Sequence, residues 1–156
     1  MYQIDFKHPE AKIYFCGIGG SSMSGLAGMM KHLGFTVWGS DRSESPHTWQ
    51  AEKEGIRVII GQKSDNITDD IDCAVFTAAI SPDNPEYQAV LAKNIPHITR
   101  AQLLGQIMDQ FPKSIAISGT HGKTTTTSMI SEILRRNGSD PSFQIGAILN
   151  SVHTSY

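Results

Sequence analysis

Short apolar runs alternate along this chain with stretches whose apolar residues recur at helical spacing. KIYFC, from Lys12 to Cys16, is an apolar run that breaks into glycines. In SSMSGLAGMMKHLG, which follows, Met23, Leu26, Ala27, Met30 and Leu33 lie near helical spacing, and Gly34 suits a C-cap. FTVWGSD reads as a second strand, Pro46 to Glu54 as a helix ended by Gly55, IRVIIG as a third strand and CAVFTAAI as a fourth. Pro85 opens a helix in NPEYQAVLAKN, and IPHIT is a short fifth strand. Strands separated by helices every ~20–30 residues predict βα units on a parallel sheet covered on both faces. The continuous apolar character of Val58–Ile60 and Ala74–Phe76 predicts strands buried on both sides.

RAQLLGQIMDQF predicts a helix that stops ahead of Pro112, because the residue before a proline disfavours the α region. A domain boundary is expected at Phe111–Lys113. Beyond it SIAIS, Ser114 to Ser118, restarts the strand–loop–helix pattern, with a helix running to about Asn137, and PSFQIGAILN suggests one further strand. The expected organisation is a Rossmann-like α/β domain over residues 1–111. Residues 112–156 would hold the first strand, P-loop and helix of a second α/β domain.

Composition narrows this picture only a little. Net charge is −2 and no Lys/Arg cluster stands out, which argues against nucleic acid as the main partner. Cys16 and Cys73 each sit inside an apolar run, so they read as reduced core thiols rather than a disulfide framework. No run approaches a membrane span and the N-terminus has no signal-peptide core, so a cytoplasmic location is expected.

The chemistry concentrates in two glycine loops. In SGTHGKTTTT, Ser118 to Thr127, an expected strand enters a turn at Gly119, Thr120, His121 and Gly122, then a helix opens with Lys123, Thr124 and Thr125. Free N–H groups and the helix dipole converge there and suit a phosphate. Lys123 would reach the β- and γ-phosphates of ATP, and Thr124 occupies the place of a hydroxyl that coordinates Mg²⁺. The spacing G-x-x-G-K-T is shorter than the usual P-loop. The loop GIGGSSMSG also follows a strand and opens a helix. It offers Gly17, Gly19, Gly20, Ser21, Ser22, Met23 and Ser24 to a diphosphate, with Asp41 about 20 residues on for a ribose. Serine replaces the third glycine of the dinucleotide fingerprint, and tight packing alone also explains such glycines. A nucleoside diphosphate substrate and ATP held by one chain suggest phosphoryl transfer.

Together these motifs resemble the Mur ligases of peptidoglycan synthesis. Gly17–Ala27, Gly39–Asp41, Asn84–Glu86, Ile95–Pro96 with Arg100, and above all the short P-loop of Ser118–Thr127 carry the resemblance, which covers essentially the whole chain. Gln62, Ser22 and Gln102 replace a frequent histidine, glycine and glutamate, and none of these changes removes a phosphate-binding group. The resemblance implies a Mg²⁺- and ATP-dependent ligation in which the carboxylate of UDP-N-acetylmuramate is activated as an acyl phosphate and attacked by L-alanine. It also implies that this chain carries the UDP-substrate domain and only the opening of the ATPase domain, and so binds nucleotide without turning over. Two alternatives stand beside it. One is the related ligase that attaches an intact tripeptide to the same UDP-sugar. The other is a non-catalytic nucleotide-binding module, which predicts NAD binding at Gly17–Gly20.

Overall fold

The computed structural model describes residues 2–145. Five parallel strands form one sheet: β1 (Lys12–Cys16), β2 (Thr36–Asp41), β3 (Arg57–Ile60), β4 (Cys73–Phe76) and β5 (His97–Thr99). Their spatial order is β3-β2-β1-β4-β5. The chain thus builds outward from β1 on one side and then crosses back to build on the other. Helices α1 (Ser21–His32), α2 (Pro46–Lys53), α3 (Pro85–Ala92) and α4 (Arg100–Met108) connect or follow the strands, and α5 (Lys123–Arg136) comes after them.

Alternation along β1 explains why both faces are covered. Ile13 and Phe15 pack into one core with Leu26 and Met30 of α1, Ala51 of α2 and Leu103 and Ile107 of α4. Tyr14 and Cys16 point the other way, to a second core with Ile67, Ile71 and Val90 of α3. The helix starts follow their sequences. Ser45 and Thr99 each close a capping box with the residue three positions on, and Asn84 caps α3 ahead of Pro85.

Several expectations change. β4 stops at Phe76, and Thr77–Ile80 turns instead of extending the strand. β3 lies at the sheet edge, so Val58 and Ile59 are only half-buried and Ile60 is exposed, against the expectation of burial on both sides. A 3₁₀ turn at Ser64–Asn66 was not predicted. The strand expected at Ser114–Ser118 does not form: this exposed stretch joins no ladder, and an isolated strand has nothing to satisfy its backbone groups. Residues 141–145 of the further expected strand are likewise unpaired, and 146–150 lie outside the described residues.

Cys16 and Cys73 are free, buried thiols, as their apolar surroundings predict. Burial, then the neighbouring Asp72 charge, pushes the Cys73 thiol from 9.0 up to about 12. Burial, then the Glu86 charge, raises both Cys16 and the Tyr14 phenol. Each of these groups is neutral in the fold and ionises more readily when unfolded. Their stabilisation is therefore complete below the unfolded pKa and is lost as pH rises through the folded one. Stability should accordingly fall steeply above pH 9 for the two thiols and above pH 10 for the phenol, by up to roughly 1.4 kcal/mol per pH unit for each group. Cys73→Ala is expected to lower stability at pH 7 yet flatten the slope between pH 9 and 11. An unchanged slope would count against this origin.

Candidate functional site

In open parallel sheets ligands bind outside the carboxyl ends of the strands where the winding reverses. Here that point lies between β1 and β4, and the loop leaving β1 is Gly17–Gly20. The loop's N–H groups divide into two sets. Gly17 and Ile18 donate to the Ser40 carbonyl at 2.8 and 2.9 Å, and Gly19 donates to Asp41 Oδ2 at 2.8 Å. Gly20 turns back to the Gly17 carbonyl. Ser21, Ser22 and Met23 then form the first turn of α1, whose N-cap is Gly20, with no side-chain cap and no acidic residue in that turn. Their N–H groups have no carbonyl within the helix to meet.

This geometry revises the part expected of two residues. Gly19 does not hand its N–H outward, because Asp41 takes it. Asp41 in turn spends Oδ2 on the loop and keeps only Oδ1, with a long 3.5 Å contact from the Ser43 N–H. Space is tight at Gly19: a Cβ there would lie 2.8 Å from Asp41 Oδ2 and 2.8 Å from Thr48 Cγ2, so those side chains would have to shift. Arg100, at the start of α4, donates from Nη1 to Ser22 Oγ at 3.0 Å, across 78 residues of sequence. A guanidinium thus stands beside an uncapped helix N-terminus, a combination that attracts an anion. The sequence singled out Arg100 only as part of the family resemblance, without a site role. Ser24 is buried and donates back to the Ser21 carbonyl, so its hydroxyl braces the turn.

Beside the loop opens a cavity of about 320 Å³ lined by Arg42, Gly61, Gln62, Ser81, Asp83, Asn84 and Pro85. Asn84 Nδ2 donates to Gln62 Oε1 at 2.8 Å, fixing the amide, and Arg42 approaches the same oxygen at 3.4 Å. The hydrogen bond from Ser81 holds Asp83 below the usual carboxylate range. Polar and charged side chains thus converge on a space that suits part of a nucleotide.

The second loop keeps its expected form without its strand. Gly122, in the left-handed conformation at φ 78°, is the N-cap of α5, again without a side-chain cap or an acidic residue in the first turn. Lys123 occupies the first helical position, and its Nζ donates to the carbonyls of Gly119 and Thr120 at 2.6 and 3.1 Å. Thr120, His121, Thr124 and Thr125 are exposed around it. Among the described residues no cluster of three or more His, Cys, Asp or Glu is placed to hold a metal.

Sheet order, crevice and the glycine loops that open α1 and α5 define a Rossmann-like α/β protein. Residues 12–112 match the family described as "Mur ligase family, catalytic domain". The chain belongs to the Mur ligase family. It is 57% identical over 153 residues to the UDP-N-acetylmuramate–L-alanine ligase of Agathobacter rectalis, covering 98% of this chain and 33% of that protein. The Lachnospira eligens ligase of the same name is 53% identical over 152 residues, 97% of this chain and 33% of its own length. Among solved structures, the UDP-N-acetylmuramate–alanine ligase of Thermotoga maritima superposes with a TM-score of 0.88 at 33% identity, covering 93% of this chain and 34% of that one. The Neisseria meningitides UDP-N-acetylmuramate:L-alanyl-γ-D-glutamyl-meso-diaminopimelate ligase gives 0.87 at 32% identity, covering 94% and 46%. The chain therefore spans about a third of the length of the curated relatives it matches.

Proposed function

We propose that residues 1–111 bind the UDP-sugar substrate and residues 112–156 open the ATP site of a ligase that joins L-alanine to UDP-N-acetylmuramate. The observation that carries the substrate site is the uncapped start of α1 beside Arg100. The diphosphate would lie on the N–H groups of Ser21, Ser22 and Met23, with the Ser21 and Ser22 hydroxyls adding donors. Gly17, Gly19 and Gly20 shape the loop, and Asp41 offers Oδ1 to a ribose hydroxyl. Ser24 holds the turn.

At the second loop, Gly119, Thr120, His121, Gly122, Thr124 and Thr125 would surround the ATP phosphates. Lys123 would leave its two carbonyls for the β- and γ-phosphates, adding positive charge where charge develops during transfer. Mg²⁺, when bound, would neutralise phosphate charge next to the Thr124 hydroxyl. Phosphorylation gives the poorly electrophilic substrate carboxylate a leaving group, and the amine of L-alanine then displaces phosphate. These 156 residues by themselves are proposed to bind nucleotide without ligating, because Lys123 and Thr124 supply one side of the ATP site. Ligation of an intact tripeptide is the second reading, since the tripeptide ligase superposes about as well as the alanine ligase. Among the described residues no helix is long and apolar enough to cross a membrane.

Calorimetry with UDP, UDP-N-acetylmuramate and NADH tests the first site. UDP-N-acetylmuramate is expected to bind most tightly, and saturable NADH binding without a UDP response would overturn the assignment. At the second site Lys123→Ala should weaken ATP binding at least about tenfold and leave UDP binding unchanged. Equal ATP affinity in the variant would remove Lys123 from the phosphate site.

A further inference from the structure

The fully buried Glu86 has no part in the nucleotide sites as described, yet it meets four donors from three other elements. Its Oε1 accepts from Tyr14 OH of β1 at 2.9 Å and from Asn66 Nδ2 of the 3₁₀ turn at 2.6 Å. Its Oε2 accepts from Ser40 Oγ of β2 at 2.6 Å and from Cys16 Sγ of β1 at 2.9 Å. The carboxylate belongs to the first turn of α3, where Asn84 Oδ1 accepts the Glu86 N–H at 2.9 Å and the helix dipole favours negative charge. All four acceptor positions of a carboxylate are filled.

The two donors on Oε2 lead directly to the glycine loop. Cys16 is the residue before Gly17. Ser40, gripped through its hydroxyl, is the residue whose carbonyl takes the Gly17 and Ile18 N–H groups, and Asp41 beside it takes that of Gly19. Three successive loop amides thus hang on the dipeptide Ser40–Asp41, and that dipeptide hangs on Glu86. The cavity wall leans on the same anchor, since Gln62 Nε2 contacts Cys16 Sγ at 3.3 Å.

We propose that Glu86 is a positioning residue for the substrate site: through Ser40 it sets the loop so that the amides of Ser21–Met23, and not those of Gly17–Gly19, face the ligand. This rests on the reading of that loop as a diphosphate site. A site held in advance binds more tightly because less ordering accompanies binding. A merely structural carboxylate would affect stability alone.

The test compares Ser40→Ala and Glu86→Gln with Val90→Ala, which empties core space on the same helix and removes no hydrogen bond to the carboxylate. Amide exchange at Gly17, Ile18 and Gly19 in the ligand-free chain and calorimetric UDP affinity are both read well below the melting temperature. Ser40→Ala and Glu86→Gln are expected to speed exchange at the three loop amides by about tenfold and to weaken UDP by a similar factor. Val90→Ala should lower the melting temperature yet keep both readings within about twofold of the parent. If Ser40→Ala does not fold, Ser40→Cys, which keeps a weaker donor, is read in the same way. Parent-like loop exchange in both hydrogen-bond variants, or equal changes in Val90→Ala, would overturn the proposal. A parent chain that ignores UDP would instead sink the substrate reading, and the exchange measurement would still decide the role of Glu86.

Discussion

Gly39→Ala is expected to leave the chain unfolded, or to lower its stability by about 4 kcal/mol, a loss of the exceptional class for one methyl group. A Cβ at this position would lie 2.2 Å from the Phe15 carbonyl oxygen and 3.0 Å from its carbonyl carbon. Both obstacles are backbone, so no side chain can swing aside. Gly39 pairs with Phe15 on one side and Val58 on the other, while Phe15 also pairs with Val75. Relief would therefore have to shift strands at the centre of the sheet. Domains of this kind have about 5–15 kcal/mol in total, so most of the margin would go. Urea unfolding followed by circular dichroism measures it, and a midpoint near that of the parent would show that the strands separate easily.

Glu86→Leu is the second large effect, expected to cost about 4 kcal/mol. Leucine has a similar bulk but accepts nothing, leaving Tyr14, Cys16 and Ser40 with buried donors and no carboxylate, while the half-buried Asn66 keeps its bond to the Gly61 carbonyl. Each orphaned polar group costs about 1–3 kcal/mol, less where a hydroxyl can turn to another acceptor. Glu86→Gln should cost less, because its amide oxygen keeps the Tyr14 and Asn66 bonds while only the acceptor that Ser40 and Cys16 meet is lost. A leucine variant as stable as the glutamine variant would mean that this polar cluster reaches water.

Much of the fold was legible because its signals are local. The Ser45 and Thr99 boxes, the Asn84–Pro85 start and the glycines after α1 and α2 announce where helices begin and end. The 3.6-residue period of Met23, Leu26, Ala27 and Met30 marks the face that α1 buries. Ser114–Ser118 shows where such reading stops. Its apolar pattern matches a strand, yet Ile115 is 65% exposed and the segment meets no ladder. A β pattern states a preference, and a strand needs a neighbour to satisfy it.

The glycine loops were legible in the same local way, since a strand–glycine–helix junction creates unpaired N–H groups wherever it occurs. Which of those groups face outward was not. Asp41 reads in the sequence as a ribose ligand, and the structure makes it a loop anchor, because β2 lies beside β1 and brings its carboxylate to Gly19. Arg100 and Glu86 carried no local sign of their partners at Ser22 and Ser40, 78 and 46 residues away.

The sequence by itself determined the parallel α/β class, the succession of its five strands with the helices α1 to α4, and two glycine loops that open helices, all consequences of periodicity, caps and glycine placement over a few residues. Only the tertiary structure decided the order β3-β2-β1-β4-β5, the edge position of β3 and the burial of Glu86. Those depend on which distant segments lie side by side, and hydrogen bonds between residues far apart in sequence form only once the sheet has assembled.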